Sequence, residues 1–262
     1  MAEEERLEPE LLVETPAPGI RLLRMNRPQA HNALSRALLA QLLAAVAAAA
    51  DQVTRVLVLA GSGPSFCSGA DLKERRELSD AEKYAHNRQI NALAEALFTA
   101  PLCTIAMIGG AALGGGLELS LACDLRFAAE GVTLGLSEAR VGAIPGAGGT
   151  QRLPRLIGPA RALQMIYSGE PIGTAQALDW GLVNEVLPAA ALEARVLAYA
   201  RLVAGRSPRA GARLKQVVYR GLDTDLASGL EIEREAIVEI LQSDDYREGL
   251  VAFAEKRAPR FG

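Results

Sequence analysis

The sequence predicts an α/β protein whose C-terminal part is helical. Short apolar runs rich in β-branched residues, such as RVLVLA at 55–60, alternate with longer alanine- and leucine-rich stretches of helical period. That alternation is typical of βαβ units. Strand signals fade beyond about residue 158. Half of the 262 residues are hydrophobic, which is enough for a sizeable core.

Five elements are predicted before residue 100: strands at 11–14, 20–25 and 55–60, and helices at 35–50 and 79–99. The first two strands flank a Pro-Ala-Pro-Gly hairpin turn, and the third ends at the turn 61–64. Asp71, with Glu74 three residues later, fits an N-cap and capping box. The helix at 79–99 begins at Ser79 and ends before Pro101. Residues 1–10 are acidic and indicate a loose terminus.

The stretch 104–124, TIAMIGGAALGGGLELSLACD, is the centre of the predicted fold. It begins as a buried strand at 105–108, breaks at two glycine clusters, and continues as a helix-compatible segment over 117–122 that contains Glu118. A strand that turns through glycines into a helix leaves free N–H groups at the helix start. These donors and the helix dipole favour negative charge.

Strands are then predicted at 125–129 and 132–135. The glycine-rich segment 145–149 is predicted to form a close-packed turn that leads into a helix. That segment lacks the Lys-Ser/Thr of a P-loop and the spacing of a dinucleotide fingerprint. The remaining predicted helices cover 159–168, 174–180, 189–204, 208–220, 223–242 and 244–256.

Composition excludes several classes of function. The net charge is −3, with four lysines and no basic stripe, so nucleic acid is not an expected partner. The three cysteines show no metal spacing and are expected to be reduced, buried residues, and no metal is expected. We see no leader or long apolar run, which predicts a cytoplasmic protein without a membrane partner, although a trimmed organellar presequence is compatible with this reading.

Two glycine-flanked sites point to a shared chemistry. Ala70 follows Gly69 just before a capped helix, and Gly115 lies at the start of the central helix. If the fold brings them together, two main-chain N–H groups would face one oxygen and form an oxyanion hole for a thioester enolate. The alternative is that these glycines only form tight turns.

Two carboxylates, Glu118 and Glu138, lie in apolar or glycine-rich surroundings. Such a pair can hold one water, with one member taking its proton and the other delivering a proton to carbon. The alternatives are an exposed helical position for Glu118 and a salt bridge from Glu138 to Arg140.

Three further polar residues suggest structural roles. Asp124 is expected to pair with an arginine. His31 and His86 have no matching nucleophile or ligand cluster nearby in the sequence and are expected to be ordinary histidines.

Three segments of this chain resemble the enoyl-CoA hydratase/isomerase (crotonase) family. They are SGADLK at 68–73, ALGGGLEL at 112–119 and IPGAGGTQRL at 144–153. The likeness extends over nearly the whole chain, from Asn26 to Arg257. The segment GLELSLACD at 116–124 and the C-terminal EGLVAF are similar to the branch that contains methylglutaconyl-CoA hydratase.

The resemblance implies a spiral of ββα units with an acyl-CoA thioester as substrate and no separate cofactor, because coenzyme A arrives as part of the substrate. It implies a core domain over 1–200 that carries the CoA and catalytic site, and a C-terminal helical region over 201–262 that builds a homotrimer or homohexamer. The implied residue roles are Ala70 and Gly115 as oxyanion donors, Glu118 and Glu138 as catalytic acids, and Ala70, Asp71, Leu72, Lys73 and Lys256 as contacts for CoA.

The pair of glutamates favours enoyl-CoA hydration, since relatives with other reactions often replace one or both acids. A Δ3,Δ2-enoyl-CoA isomerase that uses one glutamate is the second interpretation. A non-catalytic, RNA-binding member is the third. It is disfavoured because the helix at 79–99 carries few basic residues among several acids.

Overall fold

Strands that belong to two different sheets alternate along the chain in the computed structural model, which describes residues 9–51 and 53–262. The strands are β1 (Leu11–Ala17), β2 (Ile20–Met25), β3 (Val56–Gly61), β4 (Ser65–Cys67), β5 (Cys103–Ile108), β6 (Ala111–Leu113), β7 (Leu125–Ala129), β8 (Thr133–Gly135), β9 (Ile172–Gly173) and β10 (Glu185–Leu187). The α-helices are α1 (Arg36–Ala49), α2 (Leu72–Arg76), α3 (Asp80–Thr99), α4 (Gly115–Ala122), α5 (Gly149–Ile157), α6 (Pro159–Ser168), α7 (Thr174–Asp179), α8 (Ala189–Ala204), α9 (Pro208–Leu222), α10 (Leu226–Leu241) and α11 (Asp244–Ala254).

The larger sheet has the strand order β1-β2-β3-β5-β7-β10, and the smaller has the order β4-β6-β8-β9. The pairs β1–β2 and β8–β9 are antiparallel, and the other neighbours are parallel. Each of the pairs β3–β4, β5–β6 and β7–β8 therefore places one strand in each sheet before the chain continues into helical structure. This is the spiral of ββα units that the family resemblance implied.

Both faces of the larger sheet are buried, which explains the apolar strand sequences. Leu57, Leu59 and Ile108 lie in the cluster that contains the buried residues of α1, α3 and α4. Their neighbours on the opposite face, such as Val58 and Ile105, lie in a second cluster with the buried residues of α8. Helix α4 is buried along its whole length, including its glycine-rich start.

Helix starts agree with the cap signals in the sequence. Ser35 caps α1, and Ser79 with Glu82 forms a complete capping box at α3. Asp71 caps α2 through the amides of Lys73 and Glu74. The capping box predicted there is only half formed, because the Glu74 carboxylate binds Arg36 instead of reaching back to the N-cap amide.

Four short strands were not predicted: β4, β6, β9 and β10. Each has two or three residues, too few to show a period in sequence. The last two correct the expectation that strands end near residue 158. They add edge strands to each sheet, and the chain then continues into the helices α8 to α11. Most of the predicted loose terminus, residues 1–8, lies outside the described residues, as does residue 52.

The three cysteines are free thiols. Cys67 and Cys123 are buried as predicted, and Cys103 is half-buried. Burial raises the pKa of each thiol to about 12, so all three are protonated at neutral pH.

Candidate active site

A cavity of about 150 Å³ brings together the residues that the sequence singled out. Ala70, Gly115, Glu118 and Glu138 all line it, although they come from four separate segments of the chain. Three larger cavities, of about 430, 420 and 390 Å³, lie beside helix α9, and none of them is lined by any of these four residues. We take the cavity of about 150 Å³ as the candidate active site, because a reactive site is defined by convergent polar groups more than by its size.

The Ala70 and Gly115 amides lie side by side. A Cβ built on Gly115 would be 3.7 Å from the Ala70 nitrogen, and one built on Gly69 would be 2.9 Å from the Gly115 nitrogen. Gly69 and Gly114 have φ angles of 93° and 51°, a left-handed region that glycine adopts without strain. The glycines therefore serve a close approach of two chain segments as well as a turn.

Both amides are available for a ligand. Gly115 is the first residue of α4, where helical N–H groups have no intrahelical partner. Leu34 pairs with the segment that carries Ala70. The Leu34 amide donates to the Gly69 carbonyl and the Leu34 carbonyl accepts from the Asp71 amide, so this pairing does not use the Ala70 N–H. Among the backbone hydrogen bonds of the described residues, neither the Ala70 nor the Gly115 amide is a donor. Two neighbouring amides without a backbone acceptor are what an oxyanion hole requires, and the role of Ala70 and Gly115 as its donors stays a prediction.

Helix α4 packs closely against strand β4. A Cβ on Gly116 would lie 2.1 Å from the Cys67 carbonyl oxygen, closer than any real contact. Glycine is thus required at the second position of α4 to let the helix rest on strand β4. The sequence motif contains this glycine, but its steric role follows only from the structure.

Glu118 is 3 % exposed and is held by the loop before α5. Its Oε1 accepts hydrogen bonds from the Ala147 amide at 2.7 Å and the Gly149 amide at 2.8 Å. Burial raises the pKa of Glu118, and the amide donors of Gly149 and Ala147 oppose that rise. The predicted alternative of an exposed helical position is wrong. The glycine-rich segment 145–149 therefore orients this carboxylate through two of its amides.

Glu138 begins a short 3-10 helix, Glu138–Val141, and has few partners. Its Oε2 is buried and has no hydrogen-bond partner among the described residues. Burial, with the Glu118 carboxylate adding repulsion, raises the pKa of Glu138 to about 7. The alternative salt bridge to Arg140 is not formed, because that arginine pairs with Glu170. A carboxyl group in this state can deliver or accept a proton near neutral pH.

The expected CoA contacts are only partly gathered at the cavity. Ala70 and Leu72 line it. Asp71 is buried, caps α2 and pairs with Arg27 at 3.0 Å, while Lys73 is exposed outside the cavity lining. Lys256 is exposed just beyond the end of α11 and also lies outside the lining. Roles for these residues in binding CoA stay predictions.

Sequence reasoning missed Arg75 and His86, which form a connected pair beside the cavity. Arg75 lines the cavity. Its Nε donates to His86 Nδ1 at 3.1 Å, and His86 Nε2 donates to the Leu34 carbonyl at 2.8 Å. Since Leu34 also pairs with the segment that carries Ala70, His86 helps to hold that segment in place. The signal that could have found Arg75 is its spacing, three residues and about one helical turn after Leu72, which is one of the predicted CoA contacts.

Asp124 corrects another expectation, because its partner is a lysine and not an arginine. Lys215 on α9 reaches Asp124 Oδ2 at 3.1 Å, and the side chain of that lysine is only 9 % exposed. Thr104 and Tyr219 also donate to the Asp124 carboxylate. This network joins the C-terminal end of α4 to helix α9.

The described residues contain no group of three or more His, Cys, Asp or Glu placed to hold a metal ion. Among the helices of the same residues, none combines the length and apolar character needed to cross a bilayer.

Comparison with known proteins identifies relatives of this chain. Residues 16–262 match the family model described as enoyl-CoA hydratase/isomerase. The chain is 42 % identical over 253 residues to the enoyl-CoA isomerase/hydratase fer4 of Mycosarcoma maydis, covering 93 % of this chain and 92 % of that protein. It is 40 % identical over 249 residues to the mitochondrial methylglutaconyl-CoA hydratase of Homo sapiens, covering 93 % and 74 %.

A solved structure shows the same architecture. The crystal structure of an enoyl-CoA hydratase from Bacillus anthracis superposes with a TM-score of 0.94 at 41 % identity, covering 97 % of this chain and 99 % of that one.

Proposed function

The chain belongs to the enoyl-CoA hydratase/isomerase family, and from that premise we propose that it adds water across the C2=C3 double bond of a 2-enoyl-CoA thioester. The observation that carries the proposal is the placement of two glutamates and two unpaired amides around one cavity. Hydration needs all four groups. The isomerase and the RNA-binding alternatives each need fewer.

In the proposed reaction, the thioester oxygen accepts hydrogen bonds from the Ala70 and Gly115 amides. Glu118 orients a water molecule and takes its proton as the water oxygen bonds to C3. The double-bond electrons move toward the thioester carbonyl, whose developing negative charge the amides stabilise. Glu138 then donates a proton to C2, and the carbonyl re-forms to give the 3-hydroxyacyl thioester.

The environments of the two acids suit these roles. Two amide donors stabilise the ionised form of Glu118, which a base must adopt. Glu138, with a pKa of about 7, holds a proton through much of the neutral range. Burial raises the pKa of both carboxyl groups, but the two amide donors favour the ionised form of Glu118, and this difference supports Glu118 as the base and Glu138 as the acid.

The test measures loss of the conjugated absorbance of crotonyl-CoA with the unmodified protein and with Glu118→Gln and Glu138→Gln. General acid–base contributions predict a fall in kcat of about 100- to 10,000-fold for each variant. Glu130→Gln, at an exposed position outside the cavity, is the matched control. Hydration at the unmodified rate by both cavity variants would refute the assignment.

Double-bond migration on 3-enoyl-CoA substrates tests the isomerase alternative in the same preparations. One observation favours a partial isomerase activity: a single carboxyl group with a pKa of about 7 can carry a proton between carbons. Isomerisation that survives Glu118→Gln while hydration is lost would assign that activity to Glu138 alone.

We further propose a homotrimer or homohexamer assembled through the C-terminal helices. Leu214, Leu222, Leu226 and Phe253 are 64 %, 73 %, 79 % and 86 % exposed in the single chain, a large apolar exposure for an isolated protomer. Sedimentation analysis at micromolar protomer concentration tests this. A monomer would contradict it. We also propose a cytoplasmic site of action without a separate cofactor, with Asp71, Leu72, Lys73 and Lys256 near the CoA moiety.

A further inference from the structure

An arginine lies behind the loop that orients Glu118. Arg152 is in the first turn of α5, and its Nη1 donates to the Ala147 carbonyl at 3.0 Å. The amide of the same residue, Ala147, donates to Glu118 Oε1 at 2.7 Å. Arg152 also binds the next part of the loop, because its own amide donates to the Gly148 carbonyl at 2.7 Å. One loop residue therefore connects the guanidinium to the carboxylate of the proposed base.

Three contacts hold the Arg152 guanidinium in this position. Its Nη2 lies 3.5 Å from Glu95 Oε2, and its central carbon lies 5.0 Å from the centre of the Phe98 ring. A Cβ built on Gly148 would lie 2.0 Å from Nη1, so the guanidinium rests directly against that glycine. The arginine side chain is 18 % exposed and the Glu95 side chain 65 %, so water screens the glutamate and its charge offsets that of the arginine only in part. Tyr219 on α9 is also near the arginine, but burial raises the pKa of its phenol and keeps it neutral.

The charge of Arg152 acts on Glu118 in one direction. Burial raises the pKa of Glu118, while the loop amides and the Arg152 charge lower it. Two other ionisable side chains line the same cavity, Glu138 from the 3-10 helix and Arg75 from α2. Glu138 is mostly neutral below about pH 7, and Arg75 is bound through Nε to His86. Arg152 is thus a cation that opposes the effect of burial on the proposed base.

We propose that Arg152 is a positioning residue for Glu118, which fixes the loop around Ala147 and favours the ionised carboxylate through its charge. This inference rests on the proposed hydration, in which Glu118 is the base. Arg152 lies outside the lining of the cavity, so it acts through the loop and not on the substrate. A buried base requires such support, because burial alone would keep its proton bound.

The first experiment compares the pH dependence of kcat/KM for crotonyl-CoA in the unmodified protein and in Arg152→Met. Activity should fall on the acidic side as Glu118 gains a proton, and on the alkaline side as Glu138 loses one. Loss of the cation should raise the pKa of Glu118, so the acidic limb should move to higher pH by about one pH unit. The alkaline limb should stay at about pH 7 and is the internal control. An acidic limb that does not move, or that moves to lower pH, would overturn the inference.

Two matched variants separate the charge of Arg152 from its structural contribution. Arg155→Met removes an exposed cation from the same helix and should leave both limbs in place. Asn91 donates to the Gly146 carbonyl and so holds the same loop without a charge. Asn91→Ala should lower kcat by about 10-fold but move the acidic limb much less than Arg152→Met does. Equal movement in these two variants would show that Arg152 only supports the loop, and it would overturn the inference.

Two milder variants decide the question if Arg152→Met does not fold. Arg152→Lys keeps the charge but loses the planar fork that spans Ala147 and Glu95, so kcat should fall by about 10-fold while the acidic limb stays in place. Glu95→Gln removes the anion that partly offsets Arg152, so the acidic limb should move to lower pH, by up to about half a pH unit because the pair is partly solvated. A limb that moves to higher pH in the lysine variant, or that does not move to lower pH in Glu95→Gln, would overturn the inference.

Infrared titration of the protein without substrate separates this inference from the proposed reaction. The protonated Glu118 carboxyl gives a C=O band that Glu118→Gln lacks, and the pH midpoint of that band reports the proton affinity of Glu118. The midpoint should be higher by about one pH unit in Arg152→Met and unchanged in Arg155→Met. If it moves in this way while no enoyl thioester is hydrated, the proposed reaction fails and the positioning role stands. Hydration with a midpoint that does not move would have the opposite meaning.

Discussion

Replacing Glu138 with Gln should stabilise the protein at pH 8 while it removes the proposed proton donor. The native carboxyl is partly buried, and its Oε2 has no hydrogen-bond partner among the described residues. Ionising it in the folded state is unfavourable, which is why burial and the Glu118 charge raise its pKa from 4.5 to about 7. Glutamine has nearly the same shape and never ionises.

The sign of the effect follows from proton binding. Between pH 4.5 and about 7 the folded protein keeps the Glu138 proton that the unfolded chain has lost. The native state then binds more protons than the unfolded state, so the free energy of unfolding falls as the pH rises through this window. Above about pH 7 the loss is complete, and below pH 4.5 it is absent.

The magnitude is about 3.4 kcal/mol at 1.36 kcal/mol for each tenfold change in proton affinity. Because the side chain is only partly buried, solvent screening reduces this to about 1–2 kcal/mol. Glu138→Gln should therefore show little difference from the native protein near pH 4.5 and should be more stable by about 1–2 kcal/mol at pH 8.

Urea unfolding at fixed protomer concentration measures this difference, since assembly makes apparent stability depend on concentration. Glu130→Gln, at an exposed position, is the control. A stability difference that does not change with pH would show that burial does not perturb Glu138, and it would remove the basis for its role as the acid.

Three further outcomes are expected. Gly116→Ala should destabilise the fold by about 3 kcal/mol or more in denaturant unfolding, because its Cβ would lie 2.1 Å from the Cys67 carbonyl oxygen. Gly211→Ala, which has open space around its Cβ, is the control and should not lower the free energy of unfolding. Equal effects of the two substitutions would contradict the steric argument. Lys215→Met should destabilise by about 2–4 kcal/mol, because it leaves a half-buried carboxylate without its cation; a loss below about 0.5 kcal/mol would show that the other donors suffice. The kcat for crotonyl-CoA hydration should fall above about pH 7 as Glu138 loses its proton, and an alkaline limb retained in Glu138→Gln would assign the titration to another group.

The fold was predictable wherever elements are long or capped. The helix at 79–99 was placed almost to the residue because its capping box and the following proline are local signals. Strands β4 and β6 were missed, although they provide the second sheet that makes the fold a spiral. Their stability comes from pairing with each other and with β8, which three residues of sequence cannot reveal.

The site was predictable to the extent that its residues carry a motif. Glu118 and Gly115 lie one turn apart in a glycine-flanked helix, so their proximity followed from local spacing. The position of Arg75 at the cavity could not be predicted in this way, because an arginine in a charged helix is typical of an exposed, solvated side chain. Only the structure shows that it lines the cavity. The partner of Asp124 was likewise set by the docking of α9, more than ninety residues away in sequence.

The protonated thiols offer a way to watch the active site open. Cys67 Sγ accepts a hydrogen bond from the Gly69 amide, next to Ala70, and Cys123 is the C-cap of the helix that carries Glu118. Both sulfurs are enclosed and react with alkylating reagents only when the surrounding structure opens. The alkylation rates of Cys67 and Cys123, with and without a bound thioester, therefore report separately how often the segment near Gly69 and the end of α4 open. No introduced probe is needed.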